Sequence, residues 1–190
     1  LILADIERIE IIRGPDATLW GANAVNGIVN IVTRATDQTQ GGLVQLGAGS
    51  EERGLAALRY GGSWGQNVQY RVYGKFFDRD AFVDSSGARA ADQWQMQHLG
   101  FRAEWKLNDR DELSGQGGLR ASETGQTWRF PTLAAPYLES FNSTSDGSGG
   151  YAMLHWKRTL SVSSDLRLQA YYTYRHVADL FNGEKRNSYD

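Results

Sequence analysis

The chain has no cysteine, only three prolines and no long apolar run. Without thiols there is no disulfide framework and no thiolate metal site. Without the roughly eighteen consecutive apolar residues that a membrane helix needs, a helical membrane protein is excluded. A strand-built membrane protein is not, because its strands hide their apolar half by alternation. Neither sign of charge dominates: twenty Lys and Arg stand against twenty-two Asp and Glu, for a net −2. No basic stripe is present, so nucleic acid is not an expected partner. The opening Leu1-Ile2-Leu3-Ala4 runs straight into Asp5, Glu7 and Arg8, which is not the pattern of an export signal. Nine Tyr, six Trp and twenty-two Gly, with little helical periodicity, point to β-structure.

Residues 1–34 differ in texture from the rest. Ile6 to Ile12 reads as a strand, stopped at Arg13-Gly14-Pro15, where proline removes a donor and glycine permits a turn. Asp16 can cap a short helical turn over Ala17 to Trp20, ended by Gly21. Ile28 to Thr33 is a second strand, rich in β-branched residues. The polar, aperiodic residues 35–41 read as a linker.

From residue 42 the period becomes two. Leu99, Phe101, Ala103, Trp105 and Leu107 fall on one face, and His98, Gly100, Arg102, Glu104 and Lys106 on the other. Val68, Tyr70, Val72 and Phe76 oppose Gln69, Arg71, Tyr73 and Lys75, and Leu166, Leu168, Ala170, Tyr172 and Tyr174 oppose Arg167, Gln169 and Arg175. Leu113, Leu119 and Ala121 oppose Ser114, Gln116 and Arg120, and with weaker alternation at 42–49, 54–64 and 150–158 the pattern predicts seven strands. Short turns near 65, 108 and 161 alternate with longer connections at 79–93 and 123–149. Short turns on one side and long loops on the other are the arrangement of an outer-membrane barrel. Trp64, Trp105 and Trp156 each lie on the apolar face near a short turn, as an aromatic girdle at headgroup level would require. Alternation alone also describes a soluble β-rich binding module, which stays as the alternative of a different class.

The run Ile6-Glu7-Arg8-Ile9-Glu10-Ile11-Ile12-Arg13-Gly14-Pro15, continuing through Leu19-Trp20-Gly21 to Gly27-Ile28-Val29-Asn30-Ile31-Val32-Thr33, strongly resembles the plug signature of TonB-dependent receptors. The family commonly has tyrosine where this chain has Trp20. The resemblance implies a membrane β-barrel, here partial with about seven antiparallel strands, preceded by part of a small α+β plug domain. Residues 1–34 would be the C-terminal part of the plug, 35–41 the linker, and 42–190 the N-terminal part of the barrel. Arg13, Gly14, Pro15, Trp20, Gly21, Gly27 and Asn30 carry the plug signature as structural residues. The family's barrel has about 22 strands, so the export signal, the remaining strands and the segment that recruits the TonB energy-coupling complex are expected outside this sequence.

The resemblance further implies a receptor in the bacterial outer membrane that is an active transporter and not an enzyme. It would bind an extracellular nutrient chelate, foremost an iron–siderophore complex, with cobalamin, haem or oligosaccharide as alternatives. Lipid and the TonB complex are its other expected partners, with no cofactor and no metal site of its own. Gly61-Gly62-Ser63-Trp64-Gly65 matches a hydrolase nucleophile elbow in letters, but the residues after it alternate as a strand where the elbow needs a helix. His98, His155 and His176 have no ligand-like spacing and read as polar residues of the lumen. Arg13 could pair with wall carboxylates or brace its turn. In the expected loop 123–149, Trp128, Arg129, Tyr137 and Phe141 offer aromatic faces beside a guanidinium, suited to an anionic, conjugated ligand.

Overall fold

The computed structural model describes residues 2–14, 27–83, 87–179 and 183–189. The helical turn expected after Asp16 lies outside them. The described residues form strands, with two short 3-10 turns at Leu3–Asp5 and Asp37–Thr39.

Two strands, β1 (Ile6–Arg13) and β2 (Gly27–Thr33), pair antiparallel in a sheet of their own. A second sheet contains β3 (Gly41–Gly47), β4 (Glu52–Trp64), β5 (Val68–Arg79), β6 (Trp94–Lys106), β7 (Asp111–Pro131), β8 (Leu138–Ser161), β9 (Ser164–Ala178) and β10 (Gly183–Tyr189). Each pairs antiparallel with the next in chain order, so β3 and β10 are its edges. This is an unclosed segment of a meander.

The two faces have opposite chemistry. Register partners share a face, so Trp64, Val68, Trp105, Leu113 and Trp156, paired in that order, form one row near the short turns. Along the same face Val44, Leu46, Leu58, Val72, Leu99, Phe101 and Leu119 are all exposed. An apolar surface of this extent is far beyond what a water-soluble domain leaves uncovered, and lipid is the medium that suits it. The opposite, inner face carries the residues that meet the chain's first forty positions. The small core sits there, with Ile2, Ala57 and Tyr73 buried and Leu43 packed against them.

Two expectations are corrected. The sheet has eight strands where seven were expected, because the short β10 carries almost no apolar alternation. The expected long loop 123–149 is largely strand: β7 runs to Pro131, β8 starts at Leu138, and the true turn is 132–137. Crossing a bilayer takes about 9–11 strand residues, whereas β7 has 21 and β8 has 24. Beyond the lipid nothing requires an apolar face, so the ladder continues after its hydrophobic pattern has stopped. The connection expected at 79–93 is kept: its described residues, 80–83 and 87–93, lie between β5 and β6.

Candidate functional site

Most of the expected linker 35–41, together with Arg34, is a strap bound to the inner wall. Thr36 and Thr39 are almost completely buried. The Glu104 carboxylate on β6 accepts from the Thr36 backbone N–H at 3.1 Å and from its hydroxyl at 2.6 Å. Arg102 donates through Nε to the other oxygen of Glu104 at 2.8 Å and through Nη1 to the Thr33 hydroxyl at 3.0 Å. Arg71, directly opposite Arg102 on β5, donates to the Arg34 carbonyl at 2.8 Å. The strap closes on itself through Gln40, which donates to the Thr36 carbonyl at 2.6 Å.

Gly61 makes this contact possible. It is the register partner of Arg71 on β4, and a Cβ there would collide with the Thr39 carbonyl oxygen. Backbone therefore rests on backbone, which only glycine allows. A second attachment precedes β1. Buried Asp5 is ion-paired with Arg59 of β4, while the Asp5 carbonyl accepts from the Arg34 N–H at 2.9 Å. Three guanidinium groups and two carboxylates thus fasten one end of the two-stranded sheet, where β1 begins and β2 finishes, to one patch of wall. Charge-assisted hydrogen bonds of this kind are worth about 1.5–3 kcal/mol each when both partners are in place.

Between β2 and the wall lies a cavity of about 570 Å³ lined by Thr33, Arg71, Arg102, Gln116, Tyr151 and His155, among others. Within the small sheet, Asn30 donates to Glu10 at 2.7 Å, and Arg8 donates to the same carboxylate at 2.7 Å. The bond from Arg8, then the bond from Asn30, holds the Glu10 carboxyl below the usual carboxylate range. Arg13 ends β1 opposite Gly27, and among the described residues no ion pair involves it. Gly14 and Gly27 take φ of 100° and 144°, which other residues rarely adopt. Pro15, Trp20 and Gly21 lie outside the described residues.

The residues expected to meet a ligand are only partly brought together. Trp128 and Phe141 are register partners across β7 and β8. Phe130 stacks on Phe141 with ring centres 5.4 Å apart and on Trp128 at 6.2 Å. Alternation places Trp128, Phe130 and Phe141 on the inner face, far along the strands from the short turns. Arg129 falls between Trp128 and Phe130 and therefore on the outer face, so it does not join the rings. Tyr137 stands in the turn with φ 65°. A second group escaped notice in the sequence: Phe77 and Trp94 meet edge to face at 4.6 Å, with the Arg79 guanidinium 5.4 and 5.3 Å from their centres. Its signal was available, since these residues end one strand and begin the next. Ser63 lies inside β4, which turns at 65–67 into another strand, so no nucleophile elbow forms.

No protein-family model matches the chain. The vitamin B12 transporter BtuB of Vibrio vulnificus is 27% identical over 141 residues, covering 74% of this chain and 23% of that protein. The iron-regulated outer membrane virulence protein of Vibrio cholerae is 32% identical over 127 residues, covering 64% of this chain and 19% of that protein. These similarities support a fragment of a TonB-dependent outer-membrane receptor. It spans about a fifth of the length of these curated relatives. Among solved structures, the siderophore receptor PirA of Pseudomonas aeruginosa aligns with 97% of this chain and 39% of its own, at 16% identity and a TM-score of 0.49. The apolar outer face of the sheet suits lipid, and the strap and aromatic groups lie on the opposite, inner face.

Proposed function

We propose that the protein containing this chain is a TonB-energised active transporter that takes up a nutrient chelate, foremost an iron–siderophore complex. In this reading residues 1–34 belong to the plug, 35–41 connect it to the wall, and 42–190 open the barrel. The observation that carries it is the strap: a two-stranded unit is fastened by buried charges to the inner face of a sheet whose outer face suits lipid. A plug fixed in this way blocks a lumen, and ligand binding by itself supplies no work to move it uphill. Energy would enter through the TonB complex. Trp128, Phe130 and Phe141 present stacked rings on the inner face beyond the membrane, where an arriving conjugated chelate would be met first.

The named relatives divide between cobalamin and iron, so substrate choice is the point to test. Cells lacking the gene are supplied with radiolabelled iron as a series of siderophore complexes and as haem, or with labelled cyanocobalamin. Uptake that requires both the gene and TonB names the substrate. Unchanged uptake of every compound would refute the transporter reading.

A further inference from the structure

The hairpin of β7 and β8 outgrows the sheet to which it belongs. The last pairing of β7 with β6 is Thr124 with Trp94, and the last pairing of β8 with β9 is Asp146 with Ala178. Beyond these levels seven further pairs, from Gly125 with Thr144 to Pro131 with Leu138, continue as a two-stranded ribbon. At about 3.4 Å per residue the ribbon stands about 20 Å beyond its neighbours. Among the described residues no third strand pairs with either of its edges. Two strands alone are marginally stable in water, and an unpaired edge is a template for another strand.

The two edges differ. Along β7, Arg129 and Pro131 blunt the edge, and the Gly125 N–H already donates to the Gln93 carbonyl at 2.7 Å. Along β8, residues 138–144 contain no Pro, Lys or Arg, Glu139 is their one charge, and no bulge interrupts their register with β7. These are the devices by which proteins protect an edge that is meant to stay free. The neighbouring hairpin is short: β9 ends at Ala178 and β10 begins at its register partner Gly183, level with Asp146. Strand direction alternates through the sheet, so the strand after β10 would run opposite to β8. Rising past the Ala178–Gly183 level, it would stand antiparallel to the open edge and two strand spacings, about 10 Å, from the adjacent position.

We propose that the β8 edge at residues 138–144 is the docking site for a strand of the same polypeptide, the external segment that continues the strand following β10. The chain spans about a fifth of the length of its curated relatives, so most of the wall is expected after β10. A third strand converts a marginal ribbon into a small sheet and fixes the stacked rings of Trp128, Phe130 and Phe141 at the mouth. The inference rests on residues 42–190 opening a longer barrel and is independent of transport.

The test measures hydrogen exchange of the full-length protein in detergent, beside a variant in which the external segment after that next strand is shortened to a tight turn. Amides of residues 138–144 should exchange at least tenfold faster in the shortened variant, while those of residues 150–158 stay constant. Single cysteines are then placed by N142C or T144C and at successive positions of the external segment. Antiparallel pairing predicts that the two sites cross-link to segment positions two residues apart, in reversed order. Exchange at 138–144 that is fast in the wild type, or unchanged by the shortening, overturns the proposal. So does a cross-linking pattern without that register, or protection that appears only when a separate polypeptide is added. A full-length protein without the heat-dependent gel mobility of a closed barrel would sink the barrel reading and this inference together, whereas a heat-modifiable barrel with a fast-exchanging edge sinks this inference alone.

Discussion

Glu104 of β6 and Thr36 of the strap share one carboxylate oxygen between two donors, the backbone N–H at 3.1 Å and the hydroxyl at 2.6 Å. The arrangement resembles a capping carboxylate, except that the acceptor comes from a strand 68 positions away. A single wall side chain thereby orders the start of the 3-10 turn at Asp37–Thr39. Together with the Asp5–Arg59 pair, it joins the preceding sheet to the wall.

Replacing Glu104 by Gln should loosen this attachment by about 1–3 kcal/mol, because a charged acceptor is lost and Arg102 keeps an uncompensated charge. Hydrogen exchange at residues 34–40 of the full-length receptor should quicken while exchange in β7 and β8 stays constant. Equal protection of the strap in both proteins would mean that Glu104 does not hold it.

Gly61→Val should have the same local effect by a steric route, since any Cβ meets the Thr39 carbonyl. Gly42, on the outer face, has nothing within 4 Å of the corresponding point. Limited trypsin digestion should therefore cut near Arg34 faster in G61V than in G42V. The opposite order would place the strap elsewhere.

Arginine at Phe101 should cost about 2–4 kcal/mol of folding into bilayers if the residue lies near mid-membrane. The natural inner-face control is not Gly100, as alternation alone suggests, because the Tyr73 ring lies where its side chain would go. Gln116, beside the 570 Å³ cavity, is the suitable control, and Q116R should escape the lipid penalty. Similar losses at 101 and 116 would contradict the assigned faces.

Glu10 gives a pH dependence with a definite sign. Its carboxyl is held below the usual range by Arg8 and Asn30, so the hairpin gains stability above the unfolded-state value of about 4.5 and loses it as pH falls through the lowered value. Amides of β1 and β2 should lose protection on acidification through that window. E10Q should remove this component, and an unaltered profile in E10Q would assign the loss to other groups.

Trp128→Ala and Phe141→Ala should each weaken ligand binding by about 1–3 kcal/mol, as truncating an aromatic anchor commonly does. Arg129→Ala, on the other face, should change it little. Calorimetry with the transported ligand would decide, and a larger loss at Arg129 than at Trp128 would reverse the face assignment of this stretch.

Much of the architecture was legible because β geometry has a period of two and lipid tolerates only apolar side chains. Positions such as Val72, Leu99, Phe101 and Trp105 had to share a face, and the Arg-Gly turn between two β-branched runs marked the smaller sheet. The same logic failed beyond the membrane, where water and lumen no longer impose a pattern, so β10 and the outer halves of β7 and β8 looked like loop. Residues 35–41 show the deeper limit. Nothing local distinguishes Thr36 and Thr39 from any polar linker, because their burial comes from Gly61, Arg71 and Glu104 on three different strands. Strand register decides which distant residues meet, and register is a property of the assembled sheet.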